Sequence, residues 1–129
     1  MTVLIVDDNP LLGQGLSNYL EASGHRCTYL QDSTLAIDWL DRNPCDTVIA
    51  DMRMPEIDGL ALTKLIREKH PSLPILISTS LGREDGSVQA ALKAGANGYL
   101  SKVSGPKLLL TTLIETAGQR VARAWPVAA

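Results

Sequence analysis

A chain of 129 residues, 45% hydrophobic and 20% charged, has the size and balance of one globular domain. Twelve basic against fourteen acidic residues leave a net charge of −2, without the basic footprint that nucleic acid or an anionic membrane surface requires. Apolar runs of about five residues fall far short of the ~20 that cross a bilayer, and residues 1–9 show no basic segment ahead of an apolar stretch, so neither a membrane span nor a signal peptide is expected.

Taken in chain order, Thr2–Val6 is a β-branched run that stops at Asp7-Asp8 and predicts a first strand. Asn9-Pro10 suits a helix start, Leu12, Leu16 and Leu20 recur at helical spacing, and Gly24 closes the element. His25–Leu30 reads as a second strand, and Asp32-Ser33 as a cap for a helix whose Ala36, Trp39 and Leu40 share a face. Pro44 breaks the chain ahead of a third strand, Asp46–Asp51. Leu62, Leu65 and Ile66 mark a helix ending near His70-Pro71, and Leu73–Thr79 is a fourth strand. Gly86–Ala94 is a short helix closed by Gly95, Gly98–Ser101 a fifth strand, and Pro106 opens a last helix carrying Leu109, Leu113 and Ala117. His25 and His70, beside Gly24 and Pro71, read as solvent-facing turn residues, and Trp39 as packing. Cys27 and Cys45 are too few for a disulfide scaffold and read as reduced, partly buried thiols of a cytoplasmic protein. One domain over residues 1–122 and a loose tail over 123–129 are expected, with Met1 directly before the first strand favouring a natural N-terminus.

Five nearly continuous apolar strands alternating with five helices predict an α/β fold: a doubly wound, parallel sheet buried on both faces. In such a sheet the functional crevice lies beyond the carboxyl ends of the strands. The first strand ends in Asp7-Asp8, the third in Asp51, the fourth in Thr79 and the fifth in Lys102, whereas the second ends in nothing comparable.

Each of these residues has an ordinary reading when taken singly. Asp7-Asp8 suits a helix N-terminus, Asp51 a turn, Thr79 strand packing, and Lys102 a solvated surface. Together they make a pocket with a chemical logic. Three neighbouring carboxylates repel one another unless a cation sits among them, and oxygen ligands without histidine or thiol favour a hard ion such as Mg²⁺. A cation, an ammonium and a hydroxyl suit the oxygens of a transferring phosphoryl group, which an aspartate can accept covalently. Asp51 is then the nucleophile.

Four segments, VLIVDDNP at 3–10, IADMRMPEIDG at 49–59, LPILISTS at 73–80 and AGANGYLSK at 94–102, carry a resemblance to the receiver domain of two-component response regulators over about residues 2–120. The resemblance implies a CheY-like, flavodoxin-like (βα)5 sandwich of strand order 2-1-3-4-5 and a switch driven by phosphorylation of Asp51. Asp8 would ligate Mg²⁺ directly, Asp7 through a water, and the main-chain carbonyl of Arg53 would add an oxygen. Thr79 and Lys102 would bind the phosphoryl group, and Tyr99 would turn inward as Thr79 moves. Arg53 and Leu81, each two residues past a site residue, are expected at the pocket rim, where they tune aspartyl-phosphate lifetime. The donor would be a sensor histidine kinase or a histidine phosphotransfer protein. Helix 87–94, strand 98–101 and residues 105–116 would present the output face to a downstream protein or to an attached output domain, with no direct contact to nucleic acid or membrane.

The sequence departs from that pattern at two positions. Val103 replaces the proline that usually follows the lysine, so a trans Lys102–Val103 peptide is expected. Ser80 stands where alanine is common and is small enough to leave the phosphoryl position accessible. Two other functions compete: an aspartyl-phosphate phosphohydrolase of the haloacid dehalogenase type, and a receiver fold frozen in one state. The first strand's DDNP lacks the DxDx[TV] signature of the former. The retained carboxylates, threonine and lysine argue against the latter.

Overall fold

A computed structural model describes residues 1–80, 86–102 and 108–117. Its five strands are β1 (Thr2–Val6), β2 (Arg26–Leu30), β3 (Thr47–Asp51), β4 (Ile75–Thr79) and β5 (Gly98–Ser101), joined in parallel in the order β2-β1-β3-β4-β5. The helices are α1 (Pro10–Ala22), α2 (Ala36–Arg42), α3 (Gly59–Lys69), α4 (Gly86–Ala94) and α5 (108–117). Alternate residues of each strand face opposite sides, which splits the apolar interior into two layers. Leu4, Val6, Val48, Ala50, Ile75 and Ile77 meet Ala36 and Leu40 of α2, Leu62 and Ile66 of α3, and Ala91 of α4. Val3, Ile5, Ile49, Leu76 and Leu100 meet Leu20 of α1 with Leu109 and Leu113 of α5. The fold is the doubly wound sandwich expected from the alternation of elements.

Strand starts shift inward from the expected bounds for identifiable reasons. The His25 amide donates back to the Leu20 carbonyl at 3.0 Å, so β2 begins at Arg26. Pro74 has no amide hydrogen to give the ladder, so β4 begins at Ile75, although the Pro74 carbonyl still accepts from the Val48 amide at 3.0 Å. The third strand begins at Thr47, while the Asp46 carboxylate takes the Thr2 amide at 2.7 Å. Asn9 caps α1 as expected, accepting from the Leu11 and Leu12 amides. Asp32 caps a 3-10 turn, Ser33–Leu35, that runs into α2.

The buried face of α1 keeps Leu20, with Leu16 partly buried against the same layer, and departs from the leucine recurrence at Leu12. Its buried residues are Gly13, Ser17 and Leu20, while Leu12 is 47% exposed and Leu11 83%. The reason is the ring of Tyr29 on β2, which occupies the space that a side chain at position 13 would need. The two histidines also differ from expectation. Neither faces open solvent: both are half-buried, with His25 Nδ1 3.1 Å from the Met1 nitrogen and His70 Nε2 3.3 Å from Asp41 Oδ1. Trp39 packs against the α2–α4 layer. Leu81, Val103 and its peptide bond, Pro106, Trp125 and the tail 123–129 lie outside the described residues.

Both cysteines are free thiols. Burial, with help from Glu21, pushes the Cys27 thiol up to about 11. At pH 8 its thiolate fraction is then about a hundredfold below that of an ordinary thiol, so iodoacetamide is expected to alkylate Cys27 about a hundredfold more slowly than free cysteine, read by peptide mass spectrometry over time.

Candidate phosphoacceptor site

Parallel pairing brings the carboxyl ends of β1, β3, β4 and β5 to one edge, and the polar residues of that edge meet there. Asp51 is the last residue of β3, in register with Ser78, while Asp7 and Asp8 follow β1 directly. Lys102 follows β5, held by its amide to the Thr79 carbonyl at 2.8 Å. The Met52 amide bonds the Ser78 carbonyl at 3.0 Å, and the Gly59 amide the Met52 carbonyl at 2.9 Å, so the chain just past Asp51 is pinned from both sides. A Cβ on residue 59 would sit 2.7 Å from the Asp51 carbonyl oxygen, which is why α3 starts with glycine there.

Asp7, Asp8 and Asp51 each bring a carboxylate oxygen to within 4.8 Å of the others. Lys102 Nζ lies 3.0 Å from Asp51 Oδ1 and 3.5 Å from Asp7 Oδ2. Asp51 is 6% exposed, Asp7 7% and Thr79 2%, and Asp8 is half-buried. Burial raises the Asp51 pKa; Lys102 pulls against that, the Asp7 charge adds to it, and a hydrogen bond from the Arg53 main-chain amide opposes it. Burial works against the Lys102 charge, but Asp51 and Asp7 outweigh it and hold the ammonium pKa above its usual value. The edge therefore gathers more negative charge than one lysine balances. An all-oxygen set of this kind suits a hard divalent cation, and the three carboxylates could hold a metal ion.

The other expected site residues fall around this centre. Thr79 ends β4 opposite Ser101. Tyr99 lies opposite Ile77, half-buried against the layer that includes α4. Arg53 and Ser80 are exposed at the rim. Strand two, read from the sequence as ending in nothing comparable, supplies Tyr29, and the position just past it supplies Gln31, two residues that the sequence reading missed. The Tyr29 hydroxyl donates to the Asp7 carbonyl at 2.7 Å, and Gln31 Nε2 to the Asp8 carbonyl at 3.4 Å. Among the described residues no helix is long and apolar enough to cross a membrane.

The chain is similar to known proteins. The family model for the response regulator receiver domain matches residues 3–114. Response regulator protein FleR of Pseudomonas aeruginosa is 37% identical over 108 residues, which cover 84% of this chain and 23% of FleR. The DNA-binding transcriptional regulator NtrC of Klebsiella pneumoniae is 38% identical over 98 residues, 76% of this chain and 21% of NtrC. The chain thus spans about a fifth of the length of these relatives. Among solved structures, chemotaxis protein CheY4 of Vibrio cholerae superposes with a TM-score of 0.84 at 29% identity, covering 89% of this chain and 97% of CheY4. With the family's segments matched in order and its acidic edge assembled in three dimensions, the chain belongs to the receiver domains of two-component response regulators.

Proposed function

We propose that this receiver takes a phosphoryl group onto Asp51, in a Mg²⁺-dependent reaction, from the phosphohistidine of a sensor histidine kinase or a histidine phosphotransfer protein. The observation that carries the reading is the convergence of Asp7, Asp8 and Asp51 within 4.8 Å, with Lys102 Nζ 3.0 Å from Asp51. Bound Mg²⁺ supplies neutralisation of the charge on the three carboxylates and on the incoming phosphoryl oxygens. Asp7, Asp8, Asp51 and the Arg53 carbonyl are the residues that would hold it. The Asp51 carboxylate attacks phosphorus as the donor's nitrogen–phosphorus bond breaks. Lys102 exchanges its pairing with Asp51 for a phosphoryl oxygen, and the Thr79 hydroxyl reaches a second one.

A donor histidine has to reach Asp51 across the loops of the carboxyl edge. Leu11 and Leu12, exposed on the first turn of α1 beside that edge, offer it apolar contact. The added charge draws Thr79 toward the site, and Tyr99 follows into the space beneath α4. This changes the face made by α4, β5 and α5 toward a downstream protein or an attached output domain, without contact of this domain with nucleic acid. The domain acts as a switch whose only chemistry is its own phosphorylation and dephosphorylation, with Arg53, exposed beside the site, and Leu81 setting the lifetime. A cytoplasmic location goes with a kinase donor.

Incubation with acetyl phosphate, followed by intact-mass measurement, tests the reading. A gain of one phosphoryl group that needs Mg²⁺ and is absent from Asp51→Asn is expected. Uptake without Mg²⁺, uptake by Asp51→Asn, or sustained turnover of a generic phosphomonoester would overturn it.

A further inference from the structure

Strand β2 carries no residue of the acidic edge, yet Tyr29 within it and Gln31 just past it touch the main chain of that edge at two consecutive carbonyls. The Tyr29 hydroxyl donates to the Asp7 carbonyl at 2.7 Å, and Gln31 Nε2 reaches the Asp8 carbonyl at 3.4 Å. The Asp7 amide, in turn, donates to the Leu30 carbonyl at 3.2 Å, so both main-chain polar groups of Asp7 are bonded to β2. Its side chain is fixed from the other direction, by the Asn9 amide on Asp7 Oδ1 at 2.9 Å and by Lys102. The phenol reaches this carbonyl only because α1 has no side chain at Gly13. A Cβ there would collide with the Tyr29 ring at Cε1, Cζ and Cδ1, so the ring and the helix backbone form one contact.

From this geometry we infer that Tyr29, seated against Gly13, is a positioning residue for the divalent-cation site, setting the Asp7-Asp8 step so that both carboxylates face Asp51. The inference rests on the phosphoacceptor reading and deepens it. Tyr29 touches neither cation nor phosphoryl group; it acts through the peptide that joins the two acidic residues. The bond is lost without loss of packing in Tyr29→Phe, and the ring is displaced in Gly13→Ala.

Calorimetric titration of the full chain with MgCl₂ tests this, beside Mg²⁺-dependent phosphorylation by acetyl phosphate. Tyr29→Phe is expected to weaken Mg²⁺ binding about three- to tenfold, the worth of one neutral hydrogen bond. Gly13→Ala should weaken it by a similar factor, and the double variant should be no weaker than the worse single one, because both remove the same contact. The apparent Mg²⁺ constant for phosphorylation should rise in Tyr29→Phe, while the rate at saturating Mg²⁺ stays within about twofold of the parent, since a positioning defect is overcome by mass action. Unchanged Mg²⁺ affinity in Tyr29→Phe, or a saturating rate that falls with the affinity, would overturn the inference while leaving Asp51 the acceptor. A parent chain that neither binds Mg²⁺ nor gains a phosphoryl group on Asp51 would overturn the phosphoacceptor reading and this inference together.

Discussion

Asp51→Asn is expected to melt roughly 3–6 °C above the parent chain at pH 7 without Mg²⁺, a shift that about 1 kcal/mol produces in a domain near this size. Burial and the neighbouring Asp7 charge raise the Asp51 pKa in the folded state above that of an unfolded aspartate, despite Lys102. A carboxylic acid whose folded pKa is raised binds more protons in the native state than in the unfolded one. Stability therefore falls as pH rises from the ordinary aspartate range to the folded value, and the whole cost persists above it. Asparagine carries no such charge. Its advantage should be greatest above the folded pKa and should shrink as the pH is lowered through it, where the parent carboxyl becomes neutral too. Millimolar Mg²⁺ should narrow the gap from the other side, because the parent site gains more from a bound cation than the variant does. The same substitution removes the proposed nucleophile, so phosphoryl uptake should be lost. Thermal melts from pH 4 to 8, with and without Mg²⁺, check this. A variant that melts below its parent at pH 7 would mean that the pairing of Lys102 with Asp51 outweighs the repulsion.

Arg67→Ala is expected to cost about 2–4 kcal/mol of folding free energy, measured by urea denaturation at constant slope. The half-buried guanidinium donates to the carbonyls of His70, Leu73 and Gly95 and to the side chain of Asn97, at 2.8 to 3.0 Å in the contacts with His70, Gly95 and Asn97. Asn97 Oδ1 also takes the Ile75 amide at 2.9 Å, so one side chain links the end of α3, the start of β4 and the turn into β5. Gly95 adopts φ +122°, and a Cβ there would meet the Arg67 side chain at 2.8 Å, so the turn is shaped around the guanidinium. Alanine would strand several acceptors that water reaches poorly, and unmade bonds of this kind cost more than a made bond stabilises. Lysine should recover less than half of the loss, since a single ammonium cannot reproduce the planar fork. A loss below about 1 kcal/mol would show that water replaces the guanidinium freely.

These two sites differ in how far the chain announces them. The strand ends are readable because burial on both faces forces apolar runs, so a carboxylate or lysine closing such a run stands out. Asp7, Asp8, Asp51, Thr79 and Lys102 were found in this way, and the parallel order brings them together. Arg67 hides in an amphipathic helix among ordinary surface charges, because the groups it serves are main-chain carbonyls that no residue name reveals. The face of α1 is hidden for a related reason. Leu16 and Leu20 pack inward as their period suggests, but Gly13 and Ser17 are buried with them and Leu12 is left exposed, because the ring of Tyr29 on another strand fills the space beside position 13. Complementarity between Gly13 and Tyr29, sixteen residues apart, leaves no period in either segment. The histidines were misread because a neighbouring glycine or proline reports the turn, not what the turn packs against.

The pinned chain after Asp51 bears on how the switch can propagate. With the Met52 amide tied to β4 and α3 seated against the Asp51 carbonyl without room for a Cβ, the acceptor's own backbone has nowhere to recoil. A new charge at its carboxylate meets a rigid anvil on that side. If Asp51 is the acceptor as proposed, displacement would be diverted to the groups attached by side chains, the Thr79 hydroxyl and the Lys102 ammonium, and signalling would acquire a direction, across the sheet toward β5 instead of back along β3.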